Sequence, residues 1–274
     1  MEASKLGLEI RDSGTYVLDD ASEQIGGLPS TGDNGPSVPP LLASTIHVWT
    51  IPLCVAEDVF SELRRVLSQD EQERASRFHF EKDARRFVVA RGSMRSILGA
   101  YTQSRAEDLR FLYSAQGKPS LHRPVSDIRF NVSHSHDLAL LAIGRDRDLG
   151  VDVEWKNEDI EVEKLAERFF SIQEHQSLLS QAAGKKIAAF FRGWTCKEAF
   201  LKAQGMGLSR PLSSFDVDMN VGQPARLLAT RPDGTEADRW FLQELEVPEQ
   251  YAAAVAVEGS IGELSTLRYG QSQT

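Results

Sequence analysis

Apolar and polar positions alternate along the chain with two different periods, and these mark its elements. The run STIHVWTIPL (44–53) reads as a strand that opens the folded part. After it, SQDEQERASRF (68–78) carries a capping box, Ser68 with Glu71, at the start of a helix. EKDARRFVVARGSMRSILGAYT (81–102) has the 3.6-residue period of a long helix. A second capping box, Ser104 with Glu107, opens a short turn or helix, and GKPSL (117–121) is a loop that holds Lys118 between Gly117 and Pro119. DLALLAI (137–143) and LGVDVE (149–154) are two strands joined by the polar turn 144–148. A helix covers about 161–182 with a break near Phe170–Ser171, and another runs from near Ile187 to Gly205. WFLQELEVPEQYAAAVAVEG (240–259) supplies closing strands.

The helix before Gly205 contains an anomaly. Turning 100° per residue, Ile187, Phe190, Phe191, Trp194 and Leu201 fall on one side, and Glu198 falls among them with Lys202 at the edge. A carboxylate on a core-facing stripe is costly unless a cation, a metal or hydrogen bonds compensate it. In GVDVE the strand period of two puts Asp152 and Glu154 on one face and turns Val151 and Val153 to the other. Two such acids side by side answer to a cation, and Mg²⁺ takes oxygen ligands of this kind. With Glu198 they make a three-carboxylate ligand set. Lys202 and Lys197 beside such an ion suit a pyrophosphate. The plainer alternatives are a solvent-facing Asp–Glu pair and an i,i+4 ion pair between Glu198 and Lys202.

FNVSHSH (130–136) adds Ser133 and His134 as phosphate donors, with Asn131 organising a turn. His134 and His136 form a His-x-His pair, but no third zinc ligand lies nearby. Glu174 follows Ser171 in another capping box, which gives it a structural job.

Composition narrows the class. The 274 residues carry a net charge of −9, which argues against general nucleic-acid binding. The charge is uneven: residues 1–40 hold seven acids against two basic residues, and residues 74–95 hold seven basic residues against two acids. The basic stretch suits a small anionic ligand or an acidic partner. No stretch approaches the roughly 20 apolar residues of a membrane span, and the N-terminus lacks the pattern of a secretory signal. Cys54 and Cys196 are the only cysteines, so no disulfide framework exists and a cytoplasmic setting is expected. Residues 1–40, rich in Gly, Pro and Ser, are expected to form a disordered arm.

RFVVARGSMRSIL (86–98) and AFFRGWTCKEAFL (189–201) both place an Arg-Gly in a helix, and LALLAI and YAAAVAV are similar late strands. These matches favour an α+β chain of two duplicated halves, 41–148 and 149–262, followed by a tail at 263–274.

GKP (117–119), FNVSHS (130–135), GVDVE (150–154), RFFS (168–171) and WTCKEAFLK (194–202) stand in an order and spacing that resemble the 4′-phosphopantetheinyl transferases of the Sfp type, cyanobacterial relatives included. The resemblance covers about residues 44–260. It implies a pseudo-twofold pair of α+β halves and a Mg²⁺-dependent transfer of the phosphopantetheine arm of coenzyme A to a serine of an acyl or peptidyl carrier protein. Adenosine 3′,5′-bisphosphate would be released. By the same resemblance, Asp152, Glu154 and Glu198 hold Mg²⁺, Lys202 neutralises the pyrophosphate with Lys197 as a helper, and Glu198 is the favoured base, directly or through a metal-bound water, with Glu174 as the alternative. Lys118, Ser133 and His134 hold the nucleotide end, while Arg74, Arg86 and His134 reach the 3′-phosphate. Glu71 departs from the family pattern, which has a basic residue there. A monomer is expected, because the site needs no second subunit. The competing readings are a Mg²⁺-dependent hydrolase of nucleotide pyrophosphates and a non-catalytic coenzyme A-binding module.

Overall fold

The computed structural model describes residues 36–270. The expectation of a disordered arm lies mostly outside the described residues. Leu41 is already buried, and its carbonyl accepts a hydrogen bond from Arg145 Nε at 2.9 Å. Among the described residues no helix is long and apolar enough to cross a membrane.

The fold is α+β. The first sheet contains β1 (Thr45–Pro52), β4 (Ile128–Ser135), β5 (Leu138–Arg145) and β11 (Glu263–Arg268), in the order β11-β1-β5-β4. The second contains β6 (Leu149–Trp155), β9 (Trp240–Glu244) and β10 (Tyr251–Glu258), in the order β6-β10-β9. A helix covers the outer face of each: α3 (Glu81–Thr102) and α6 (Lys186–Gln204). The period of two sorts the strands between the layers. Trp49 and Ile51 of β1 and Ala139, Leu141 and Ile143 of β5 pack with Val89, Met94 and Ile97 of α3. Ile46 and Val48 turn the other way, with Leu138, Leu140 and Ala142, against Val151, Val153, Ala253 and Val255 of the second sheet. Ala254 and Ala256 face α6. Small side chains on that face let the helix come close.

Several elements differ from the sequence expectation. The loop assigned to GKPSL is half of a hairpin, β2 (Arg110–Tyr113) with β3 (Pro119–Arg123), closed by Gly117 at φ +83°. The pair predicted around the 144–148 turn is no hairpin: β5 lies in the first sheet and β6 in the second. β5 is apolar on both faces and lies inside its sheet, whereas β6 is apolar on one face only and stands at the edge of its own. The tail expected at 263–274 contains β11, which pairs in parallel with β1 and returns the chain to the first sheet. Ser104 and Glu107 form no capping box, and a single 3₁₀ turn, Ala106–Asp108, stands there with Arg105 at its N-cap. The helix at 161–182 is broken as expected, into α4 (Val162–Phe169) and α5 (Ile172–Leu179). Between α1 (Glu57–Arg65) and α3 lies α2 (Gln69–Ser76).

The halves share one device. Ser68 caps α2, and its backbone N–H donates to Glu71 Oε2 at 3.0 Å. Glu71 is buried and grips α3 through Arg95 Nε at 2.6 Å and Arg91 Nε at 2.9 Å. In the second half Ser171 caps α5, and its backbone N–H donates to Glu174 Oε2 at 2.9 Å. Glu174 Oε1 accepts from Val217 N at 2.8 Å and pairs with Lys197 Nζ of α6 at 2.8 Å. Lys197 also donates to the carbonyls of Leu212 (2.8 Å) and Phe215 (2.5 Å). Burial pushes the Lys197 pKa down, with the Glu174 charge opposing.

Removing one partner of such a pair strands a buried charge. Glu174→Ala is expected to destabilise the fold by about 3–5 kcal/mol. Adding Lys197→Met should recover most of that loss in urea unfolding. A double variant no more stable than the single one would show that the pair does not clamp α6.

Candidate active site

The site lies where the two sheets meet edge to edge. β4 and β6 form no backbone ladder, and side chains of β4 close the seam instead. Asn131, Ser133 and Ser135 follow the period of two along β4. Asn131 Oδ1 accepts from Val151 N at 2.9 Å. Ser133 Oγ donates to Asp152 Oδ1 at 3.0 Å. Ser135 Oγ donates to Glu154 Oε2 at 3.1 Å and accepts from Trp155 N at 3.0 Å. The turn role expected for Asn131 is thus a strand-to-strand role. Ser135 was not singled out from the sequence, although the Asn-x-Ser-x-Ser alternation was the signal.

Helix α6 delivers the other groups. Residues 189–201 are buried all round, so α6 is a central helix and carries no single apolar stripe. Gly150 seats it. A Cβ on Gly150 would lie 2.2 Å from the carbonyl oxygen of Ala199 and 2.3 Å from the amide nitrogen of Ala203. That contact sets the turn between Glu198 and Lys202 against β6. Lys202 Nζ reaches across to Asp152 Oδ1 at 2.6 Å and donates to Ser133 Oγ at 2.7 Å. Asp152 and Glu198 are both buried, and Glu154 is half-buried.

The carboxylates share one region but do not close around one point. Among the described residues no three His, Cys, Asp or Glu side chains are grouped so as to hold a metal ion. This bears on the expected Mg²⁺ triad and equally on zinc at His134 and His136. At Asp152, Oδ1 carries Lys202 and Ser133. His136 stands at φ +48° with its ring stacked on Trp155, centroids 5.0 Å apart. The donor chemistry remains that of a hard cation, because every candidate ligand is a carboxylate oxygen.

Lys197 is not part of this region. It is fully buried against Glu174, Leu212 and Phe215, which corrects its expected pyrophosphate role. Glu174 spends both oxygens on the clamp, which removes it as an alternative base. Lys118 Nζ donates to the carbonyls of Leu149 (3.1 Å) and Ala203 (2.8 Å), bolting the β2–β3 hairpin to the start of β6 and the end of α6. Burial lowers its pKa, and the charge of Asp148 opposes the shift. Beside it opens a cavity of about 500 Å³ lined by Tyr113, Lys118, Arg129, Phe130, Asp148 and Gly205. A second cavity of about 510 Å³ is lined by Glu244, Glu246 and Glu249 against Lys156 and Arg192, a net negative lining that suits a nucleotide less well.

His134 is exposed on the opposite side of β4 from Ser133, as the strand period requires. Arg86 stands at the end of the same strand, its Nε donating to Asp137 Oδ1 at 2.9 Å. Arg74 is exposed, its guanidinium 5.1 Å from the centre of the Phe87 ring. Much of the basic excess of residues 74–95 is used internally. Arg85 pairs with Glu57, Arg86 with Asp137, and Arg91 and Arg95 with Glu71. Glu71 therefore has a structural duty at the place where the family pattern has a base.

Comparison with known proteins agrees with this geometry. Residues 148–256 match the model of the 4′-phosphopantetheinyl transferase superfamily, and residues 55–145 match that of the 4′-phosphopantetheinyl transferase N-terminal region. The chain is 40% identical to the 4′-phosphopantetheinyl transferase HetI of Nostoc sp. (strain PCC 7120) over 80% of its own length and 90% of that protein. It is 32% identical to the 4′-phosphopantetheinyl transferase Sfp of Bacillus subtilis over 69% of its own length and 81% of that protein. A putative 4′-phosphopantetheinyl transferase of Synechocystis sp. (strain PCC 6803) is 35% identical over 72% of this chain and 78% of that one. The chain belongs to the 4′-phosphopantetheinyl transferase superfamily. Within it, the chain is an enzyme of the Sfp and HetI type, which transfers phosphopantetheine from coenzyme A to carrier proteins.

Gly150→Ala tests the seat of α6. The added methyl must push the helix off β6, and a displacement of about 1 Å at reacting groups costs on the order of 100-fold in rate. We expect that loss in a transfer assay, together with a lower melting temperature. An unchanged rate would mean that Gly150 does not set the site.

Proposed function

We propose that the reaction takes place at the β4–β6–α6 junction, between halves spanning 41–148 and 149–262, and that the observation carrying this reading is Asp152, buried in the seam with Lys202 at 2.6 Å. A serine hydroxyl of an apo acyl or peptidyl carrier attacks the phosphorus that bears the pantetheine arm. The bond from that phosphorus to the bridging oxygen breaks, and the electron pair leaves with adenosine 3′,5′-bisphosphate.

The donor set is of the kind that suits Mg²⁺, since Asp152, Glu154 and Glu198 offer only carboxylate oxygens, and these three would hold the ion. When bound, it supplies positive charge against the pyrophosphate oxygens. Lys202 neutralises the same oxygens as the leaving group departs. Glu198, at the last buried turn of α6, accepts the serine proton directly or through a water. Ser133 donates to a phosphate oxygen, and His134 and Arg86, with Arg74 further out, hold the 3′-phosphate at the rim. The cavity beside Lys118 receives the adenine end. Lys118 serves this cavity by fixing its wall, because its ammonium is spent on two carbonyls.

Phosphoryl transfer depends on positioning and charge neutralisation, and each group here answers to one of those needs. The enzyme works as a monomer in this reading, since all of these groups come from one chain, and its two free cysteines suit a cytoplasmic setting.

Asp152→Ala and Glu198→Ala are expected to remain folded and to lose nearly all transfer. The measurement is the mass gain of a purified apo carrier protein incubated with enzyme, coenzyme A and Mg²⁺. Normal carrier modification by either variant overturns the metal assignment. Cleavage of coenzyme A with no carrier present would favour a hydrolase.

A further inference from the structure

Asp152 has a side chain only 3% exposed, and a carboxylate so enclosed requires a counter-charge. Lys202 supplies it, closing a triangle with Ser133: 2.6 Å from Nζ to Asp152 Oδ1, 2.7 Å to Ser133 Oγ, and 3.0 Å between the last two. The hydroxyl proton of Ser133 points to the carboxylate, and its lone pair receives the ammonium. The two clamp pairs are sealed differently. Arg95 and Lys197 are 2% and 0% exposed on their side chains, Arg91 at the margin of the first clamp is 11% exposed, and Lys202 is 16% exposed. Each clamp thus has a sealed cation, while the cation on Asp152 has a route out and a flexible four-carbon stem.

We propose that Lys202 is a displaceable counter-ion: it holds Asp152 Oδ1 in the free enzyme, a divalent cation replaces it there, and the released ammonium then meets the pyrophosphate of coenzyme A. This rests on the Mg²⁺ reading above. A divalent ion and an ammonium on one carboxylate oxygen would stand in mutual repulsion, so metal entry requires Lys202 to leave. Metal binding alone therefore sacrifices the ion pair between Lys202 and Asp152. The pyrophosphate of coenzyme A offers the displaced ammonium an anion in return. Each ligand favours the other, and the coupling must be reciprocal.

The test is Mn²⁺ titration, followed by electron paramagnetic resonance of the free ion, into wild type, Lys202→Met and Asp152→Asn, each with and without coenzyme A. Coenzyme A should tighten Mn²⁺ binding to wild type by about tenfold or more, within the span usual for coupled sites. Lys202→Met should bind Mn²⁺ alone about tenfold tighter than wild type, with less further gain from coenzyme A. It should also melt lower than wild type without metal and be raised further by Mn²⁺. If Lys202→Met binds Mn²⁺ alone no tighter than wild type, the proposal is overturned. Should that variant prove too unstable, Lys202→Arg decides. A guanidinium grips a carboxylate more firmly, so Mn²⁺ alone must bind more weakly than to wild type, and an unchanged affinity counts against displacement. Asp152→Asn separates the two levels: undiminished Mn²⁺ binding in the presence of coenzyme A would defeat the Mg²⁺ reading itself.

Discussion

A carboxylate enclosed between two β-sheets governs this molecule. Asp152 lies in a seam where no backbone ladder joins the strands, and Ser133 and Lys202 meet its charge there. Burying a charge in this way is expensive, and a fold that merely needed cohesion would do better with apolar residues. The seam pairs the expensive residue with others arranged for it. Asn131 and Ser135 fasten β6 on either side, and Gly150 admits α6 close enough for Lys202 to arrive. The chemistry and the joint between the sheets are therefore the same structure.

The two halves use one plan for different ends. Each has a capped short helix whose glutamate turns inward to grip a cation on the long helix. In the first half Glu71 takes two arginines from α3, and in the second Glu174 takes one lysine from α6. Both clamps fix a long helix against its sheet. The buried Asp152, by contrast, lies on β6, and Glu198 and Lys202 lie on α6, all in the second half. The first half contributes the serines, His134 and the arginine rim. This division explains why Lys197 and Lys202, five residues apart on one helix, have unrelated duties.

What could be read in the sequence was what local periodicity encodes. The long helix 81–102, the break at Phe170–Ser171 and the end of α6 at Gly205 all follow from caps, glycine and the 3.6-residue period. The Asp152–Glu154 face and the buried Val151 and Val153 follow from the period of two. Hidden from such reasoning was everything set by distant partners. β5 and β6 are adjacent in sequence, and only long-range packing sends them to different sheets. β11 looked like a tail because its pairing with β1 spans nearly the whole chain. Lys197 and Lys118 were read as phosphate ligands because a lysine near a carboxylate motif looks alike whether it faces a ligand or a set of carbonyls. The family resemblance supplied the chemistry, and the structure sorted which cations are available for it.

The most direct measurement is a crystal structure of the enzyme with Mg²⁺ and coenzyme A. The account predicts one ion touching both Asp152 and a carboxylate of α6, with a pyrophosphate oxygen in the same shell and Lys202 moved from Asp152 to the pyrophosphate. An ion that touches only one of the two elements, or a Lys202 still bonded to Asp152 beside a bound pyrophosphate, would contradict it.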